Sequence, residues 1–455
     1  MNPHIFREYD IRGLVDKDLH PDSVSLIARG FARMIKDRGG KRVVLGRDCR
    51  TSSTVFRGIF SRALNDSGID VVDIGVVPTP LTYFAAHVLE GIDGLVMITG
   101  SHNPPEYNGF KIGVGKTTLH GSEIQALRRI VEQGDFPSGH GITEELDVVP
   151  RYIEHVTSTL KMGPRKLRAI VDAGNGVGGD VAQRLYTALG VDFTGMYLEP
   201  DGTFPNHHPD PTVEENVAEL KAKTTAERAD LGIAFDGDAD RIGVVDDQGS
   251  ILWGDQLMIL YSRAVLKEEP GTAIVGEVKC SQTMYDDIEK HGGKPVMWKA
   301  GHSLIKAKMK ETKASLAGEM SGHIFFQNRW FGFDDGIYAG ARLLEILSHE
   351  KRPLSEMLAD VPKTWASPEI RRDAETEERK FALVKMATEH FRSKGHEVID
   401  VDGVRVVFPD GWGLVRASNT QPILVLRYEA QTPERLEEIR QLIEGTLTEL
   451  EKRVG

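Results

Sequence analysis

Asp236, Asp238 and Asp240 occupy alternate positions in the run DGDADR. Carboxylates this close repel one another unless a cation sits among them, and hard oxygen donors suit Mg2+ or Ca2+. The run leaves an apolar stretch, LGIAF, and so starts at the mouth of a buried strand. An EF-hand also places aspartates at loop positions one, three and five, but it needs glycine at the sixth, where this chain has Arg241. The flanks here are strands, and the EF-hand is rejected. The remaining alternative is an acidic surface turn.

Three more runs have chemistry in their residue types. In TGSHNPPEYNGFKI, Ser101 follows the apolar stretch DGLVMI, two prolines stiffen the loop, and Lys111 comes ten residues later. That is a nucleophile candidate in a rigid, exposed loop. In GEMSGH, two glycines bring Glu319, Ser321 and His323 together. Glu and Ser can bind sugar hydroxyls, and His can move protons near neutral pH; the alternative is a polar turn. In RASNTQP, the residues Arg416, Ser418, Asn419 and Thr420 share one turn. A guanidinium fork with hydroxyls and turn amides suits phosphate; the alternative is a polar hairpin tip. GFKIGVGKT imitates a phosphate-binding P-loop, but five residues rather than four separate Gly109 from Gly115. The hydrolase elbow G-x-S-x-G fails too, with Thr99 and Asn103 at the glycine positions.

These runs need elements to position them. KRVVLGRD, IDVVDIGVV and DGLVMI read as strands, with SSTVFRGIFSRALNDSG and LTYFAAHVL as the helices between them. In the first helix, Val55, Ile59 and Ala63 recur with Phe56, Phe60 and Leu64 on one face, with Ser52 or Ser53 as cap and Gly68 as stop. Strand–helix–strand repetition implies a parallel sheet covered by helices, with ligands at the carboxyl ends of its strands. The pattern restarts at KLRAIVDAGNG and again after Trp253, while the last part has a helix, several strands and a charged terminal helix. The fold class is therefore α/β: three related α/β domains with mixed sheets and a C-terminal α+β domain, divided as 1–150, 151–252, 253–366 and 367–455.

The 455 residues suggest roughly three domains or more. Forty per cent hydrophobic and 27% charged residues are ordinary globular composition. No apolar run is long enough to span a membrane, and MNPHIFREYDIRG has no signal core. Cys49 and Cys280 have no metal-ligand spacing and fit a reducing, cytoplasmic setting. The net charge of -12, without a basic stripe, argues against nucleic acid.

Taken in chain order, one loop per domain, the four runs resemble those of the α-D-phosphohexomutase family over essentially the whole chain. TGSHNP resembles its phosphoserine loop, DGDADR its magnesium loop, GEMSGH its sugar loop and RASNTQP its phosphate loop. YDIRG resembles its N-terminal substrate motif and adds Tyr9 and Arg12; Lys279 and Gly301 join the substrate set by the same resemblance. Met320, Asn419 and Gln421 are similar to the phosphomannomutase/phosphoglucomutase branch rather than the phosphoglucosamine one. Gly100 stands where alanine is common in the family, a small change.

The resemblance implies an active site in a central cleft. It implies phosphoryl transfer between Ser101 and a hexose monophosphate through a 1,6-bisphosphate, so that hexose 6-phosphate and 1-phosphate interconvert. One Mg2+ on Asp236, Asp238, Asp240 and the phosphoserine at 101 is implied, with glucose or mannose 1,6-bisphosphate as activator. His323 is the first candidate for the proton, with His302 and Lys111 behind it and Arg12 assisting; Arg241 adds positive charge. Glu319 and Ser321 would hold the 3- and 4-hydroxyls, leaving the 2-hydroxyl unread, so mannose and glucose both fit. Small hexose phosphates are the expected partners, with no membrane and no obligate protein partner. The alternatives are a phosphoglucosamine mutase, a magnesium-dependent sugar phosphatase and a non-catalytic sugar-phosphate-binding relative.

Overall fold

The computed structural model describes residues 1–418 and 422–453; Asn419 and Thr420 lie outside the described residues. Its strands form four sheets. In the first, Arg42–Arg47 runs parallel to both Asp70–Val76 and Gly94–Ile98. Strand alternation sends Val43 and Leu45 to one face and Val44 to the other, so both faces need cover. Helices Pro21–Asp37 and Thr51–Asp66 cover one face with Ile27, Phe31, Phe56, Phe60 and Leu64. Helix Thr79–Val88 covers the other with Leu81 and Phe84.

The second and third sheets repeat this plan in shorter form. Leu231–Phe235 is parallel to Arg168–Asp172. Ala273–Glu277 is parallel to Lys294–Trp298 and Leu316–Gly318. In each of the three sheets an apolar strand ends in one of the chemically suspicious loops and returns antiparallel beside itself. Gly94–Ile98 returns as Tyr107–Val114, Leu231–Phe235 as Ile242–Asp246, and Leu316–Gly318 as Ile324–Phe326. The fourth sheet, all antiparallel, repeats the joint: Gly411–Ala417 returns as Ile423–Ala430 through the RASNTQP run. The P-loop imitation falls inside Tyr107–Val114 and the turn after it, as ordinary hairpin backbone.

Two local expectations for the second helix differ from the structure. Its N-cap is Arg50, with no side-chain cap bond. Ser53 instead turns inward, donating to Asp48 and accepting from Asn108, so its hydroxyl serves the loop network below the helix. Val55, expected on the buried face, is 56% exposed. The stripe Phe56–Phe60–Leu64 packs along its whole length; in the stripe beside it Ala63 is buried and Ile59 packs on the same core, and only Val55, near the helix start, escapes.

The first three domains share one apolar core. Its aromatic centre is Trp330, stacked on Tyr338 at 4.3 Å and on Phe84 at 5.8 Å, with Tyr152 edge-on at 5.7 Å. Phe84 belongs to the first sheet's helix, Tyr152 to helix Val149–Thr159, and Trp330 to the third unit. The C-terminal sheet buries one face under helices Glu377–Ser393 and Pro433–Glu451. From the other face, Trp412 and Leu414 pack on Val278 of the third unit. Among the described residues no helix is long and apolar enough to cross a membrane.

Because Trp330 is the common contact, Trp330→Ala leaves a cavity where three units meet. Denaturant unfolding should show a loss of about 3–5 kcal/mol. A loss within about 0.5 kcal/mol, the size of an ordinary surface effect, would mean that the units do not depend on this cluster.

Candidate functional site

The serine loop is built from its backbone outward. Ser101 has φ of 51°, a left-handed conformation that strains a non-glycine residue by roughly 1–3 kcal/mol. Arg50, 1% exposed, holds the strain in place. Its guanidinium donates to the carbonyls of Ser101 (2.9 Å), Asn103, Pro104 (2.6 Å) and Tyr107 (3.0 Å). Asp48 balances that charge at 3.1 Å and also accepts from the Gly100 amide at 3.0 Å. Gly100 is therefore more than a small change: a Cβ there would lie 2.5 Å from the Arg50 guanidinium carbon. The loop is exposed at Pro104, Pro105 and Glu106, as expected, but Ser101 itself is only 3% exposed.

Ser101 Oγ donates to Asp236 Oδ2 at 3.0 Å, so the first two loops meet at their reactive atoms. Asp236, Asp238 and Asp240 are all fully buried, which rules out the acidic surface turn. Their ligand oxygens lie within 4.8 Å of one another, and Asp238 Oδ1 and Asp240 Oδ1 find no hydrogen-bond partner among the described residues. Buried, convergent and unsatisfied carboxylate oxygens fit a hard divalent cation. Lys111 Nζ is 2.8 Å from Asp238 Oδ2 and also pairs with Asp240. Thr79 donates its hydroxyl to Asp238 at 2.5 Å.

The electrostatics split these carboxylates. Burial, then the charges of Asp238 and Asp240, push Asp236 well above the usual carboxylate range. Burial opposes ionisation of Asp238 too, but Lys111 and Thr79 hold it well below that range. Burial likewise works against the Lys111 ammonium, and the two aspartates outweigh it, raising its pKa.

The third loop closes on the second. Gly322, with φ of +89°, accepts from the Ile242 amide at 3.0 Å, and a Cβ there would meet the Ile242 carbonyl at 2.3 Å. This places His323 Nε2 3.0 Å from Arg241 Nε, which donates to it. His323 Nδ1 lies 3.0 Å from the buried carboxylate of Asp334 and 3.7 Å from Asp240. Asp240, His323 and Asp334 form a second convergent group of possible metal ligands. His302 stacks beside His323 at 5.5 Å, and burial with the Lys306 ammonium pushes its imidazole well below its ordinary value.

Of the remaining expected residues, Tyr9, Glu319 and Arg416 join through Ala300 and Gly301. Tyr9 donates its hydroxyl to Ala300 O at 2.8 Å, and Glu319 accepts from the Gly301 amide. Ala300 N donates to Asp402, which also accepts from Arg416 at 3.0 Å. Arg12 donates to Asn103 Oδ1 at 3.0 Å, touching the tip of the serine loop. Lys279 Nζ lies 3.2 Å from Glu369 and 3.6 Å from Glu277. Ser321 is half-buried in its turn, and the Ser418 amide donates to Ile423 O at 3.0 Å.

Several participants escaped the sequence reading. His102 Nδ1 is 3.1 Å from Ser101 Oγ. Glu277, pushed up to about 7 by burial, accepts from the Met320 amide at 2.8 Å and so anchors the third loop. Asp48, Arg50, Thr79 and Glu277 all stand at or just past the carboxyl end of a sheet strand. Applying the strand-end rule to every strand finds all four. Asp334 and Asp402 had no such signal.

Arg50→Lys keeps a charge for Asp48 but loses the fork. Hydrogen exchange at the Gly100 and Ser101 amides should then rise about tenfold or more, the equivalent of one lost buried hydrogen bond. Unchanged exchange would show that the prolines alone stiffen the loop.

Comparison with known proteins follows the same division. Family models described as phosphoglucomutase/phosphomannomutase alpha/beta/alpha domains I, II and III match residues 3–138, 150–249 and 253–365. The model for the C-terminal domain matches 369–445. A phosphomannomutase/phosphoglucomutase of Pseudomonas aeruginosa is 49% identical over 443 residues, 97% of this chain and 95% of its own. A phosphoglucomutase of Neisseria gonorrhoeae is 46% identical, over 96% of this chain and 95% of its own. The crystal structure of a phosphoglucomutase/phosphomannomutase family protein from Burkholderia thailandensis superimposes with a TM-score of 0.93 at 43% identity, covering 99% of this chain and 98% of that one.

Proposed function

Since the chain belongs to the phosphoglucomutase/phosphomannomutase family, we propose how its four loops divide one reaction among them. The protein is an isomerase that interconverts hexose 6-phosphate and hexose 1-phosphate, with mannose or glucose as the sugar. The observation that carries the mechanism is the meeting of Ser101 Oγ with Asp236 at 3.0 Å. A phosphoryl group on Ser101 passes to the free hydroxyl of a hexose monophosphate. The resulting 1,6-bisphosphate turns over in the cleft and returns its other phosphoryl group to Ser101, with the same bisphosphate serving as activator.

Phosphoryl transfer needs position and charge neutralisation more than covalent chemistry. Asp236, Asp238 and Asp240, completed by an oxygen of the phosphoserine, would hold Mg2+, which supplies that neutralisation when bound. Lys111 keeps a positive charge at the same carboxylates. His323 takes the sugar hydroxyl proton at Nε2. The Asp334 carboxylate at Nδ1 favours the tautomer whose Nε2 is free to accept, and Arg241 must release Nε2 to expose it. A guanidinium leaving a histidine for a substrate phosphate exchanges a neutral acceptor for a charged one. His302 is held neutral by burial beside it. Arg12 orients the serine loop through Asn103.

At the far end of the sugar, Lys279, Arg416 and Ser418 grip the phosphate that does not react, with Asn419 and Thr420 contributing amides. Glu319 and Ser321 hold the 3- and 4-hydroxyls, Tyr9 and Gly301 shape the wall beside them, and nothing in this set reads the 2-hydroxyl. A sugar phosphatase would need water rather than sugar at the phosphoserine, and turnover with a trace of sugar bisphosphate as activator separates the mutase from it.

Peptide mapping after incubation with glucose 1,6-bisphosphate should place one phosphate on Ser101, and finding it elsewhere would reject the assignment. Asp238→Asn should lower kcat roughly a hundredfold or more while KM moves little, because the lost charge acts on the transferring group. Full activity in excess chelator would remove the metal from this account. Arg416→Ala should weaken 1-phosphate and 6-phosphate substrates alike by roughly 1.5–3 kcal/mol. A loss confined to one of the two would mean that Arg416 does not serve both orientations.

A further inference from the structure

The loop that carries Lys279 is held from outside its own domain. The carbonyls of Val278, Lys279 and Cys280 all turn toward two arginines of the C-terminal sheet. Arg405, in strand Val404–Phe408, donates to Val278 O at 2.7 Å and to Cys280 O at 2.9 Å. Arg427, in strand Ile423–Ala430, donates to Lys279 O. The next two residues are pinned by their amides: Ser281 donates to Asp255 at 3.0 Å, and Gln282 to Glu429 of the C-terminal sheet at 3.1 Å.

Arg405 is an expensive way to join two domains. It is 0% exposed, it donates to the neutral oxygens of Val278, Cys280 and Gln282, and its guanidinium lies 3.7 Å over the Trp412 ring. Burial draws its pKa down to about 10. Apolar contact of the kind Trp412, Leu414 and Val278 already make would dock the sheet without burying a charge. A planar fork adds direction: it fixes where the backbone of residues 278–280 points, and with it where the Lys279 side chain leaves the chain.

We propose that Arg405 and Arg427 are positioning residues that preset Lys279 for the substrate phosphate remote from Ser101, so that docking of the C-terminal sheet sets Lys279 and Arg416 together. This rests on the reading of Lys279 as a phosphate ligand given above. Neither arginine needs to touch the substrate. The effect is pre-organisation: a loop free to wander must be ordered at each binding event, and that ordering appears as lost affinity.

The test is a double-mutant cycle on kcat and KM with glucose 1-phosphate and mannose 1-phosphate. Lys279→Ala, Arg405→Lys and Arg427→Lys should each raise KM about tenfold with kcat within about twofold. In the Lys279→Ala background, either arginine substitution should raise KM no further, because the arginines act only through that side chain. If Lys279→Ala leaves KM unchanged, the reading of Lys279 fails and this proposal with it. If Lys279→Ala raises KM but the arginine substitutions do not, the clamp alone fails. Full additivity in the double variants also overturns it, since a general structural role would add. Thermal melting checks that each variant is folded; should Arg405→Lys not fold, Arg427→Lys decides by the same comparison.

Discussion

Three carboxylates buried to zero exposure within one five-residue turn are the constraint to which the rest of the site answers. Anions in so dry a place are tolerated only when paired or coordinated. The surrounding chain supplies partners from three different units. Lys111 and Thr79 come from the first, the Arg241 amide from the loop itself, and His323 from the third at 3.7 Å from Asp240. The electrostatic problem posed by DGDADR thus draws the first three units around one point, and the shared apolar core behind them fixes that arrangement. Lys306 extends the logic one shell further, 3.1 Å from Asp334, which in turn faces His323.

The same structural joint recurs four times. An apolar strand ends, a short polar loop follows, and the chain returns antiparallel on the neighbouring position. This geometry suits chemistry, because the loop is held at both ends by sheet hydrogen bonds and can be short without being slack. It also lets backbone strain be stored where it is useful, as in the left-handed conformation of Ser101. The buried arginines are the complementary device. Arg50 collects the carbonyls of the serine loop, and Arg405 with Arg427 those of the Lys279 loop. In both cases a rigid fork orders carbonyls that no helix or sheet would otherwise satisfy.

The reactive loops were legible because their chemistry is local. DGDADR, TGSHNP, GEMSGH and RASNTQP announce themselves by residue type within a few positions, and the apolar strand before each of the first two shows where it opens. The strand–helix alternation and the antiparallel C-terminal sheet were legible for the same reason: periodicity is a property of neighbours along the chain. Tertiary structure alone decided what depends on distant partners. Ser101 is buried rather than exposed because a second unit covers it, Val55 is exposed because no element faces it, and Ser53 leaves its capping role because Asp48 and Asn108 compete for its hydroxyl. Asp334 and Asp402 reach His323 and Arg416 from outside the four loops, and Asp402 also accepts from the distant Ala300 amide; no pattern within a loop records a contact made that way. Residue types set which reactions are possible within each loop; the folding free energy of the packed units sets which of those residues meet.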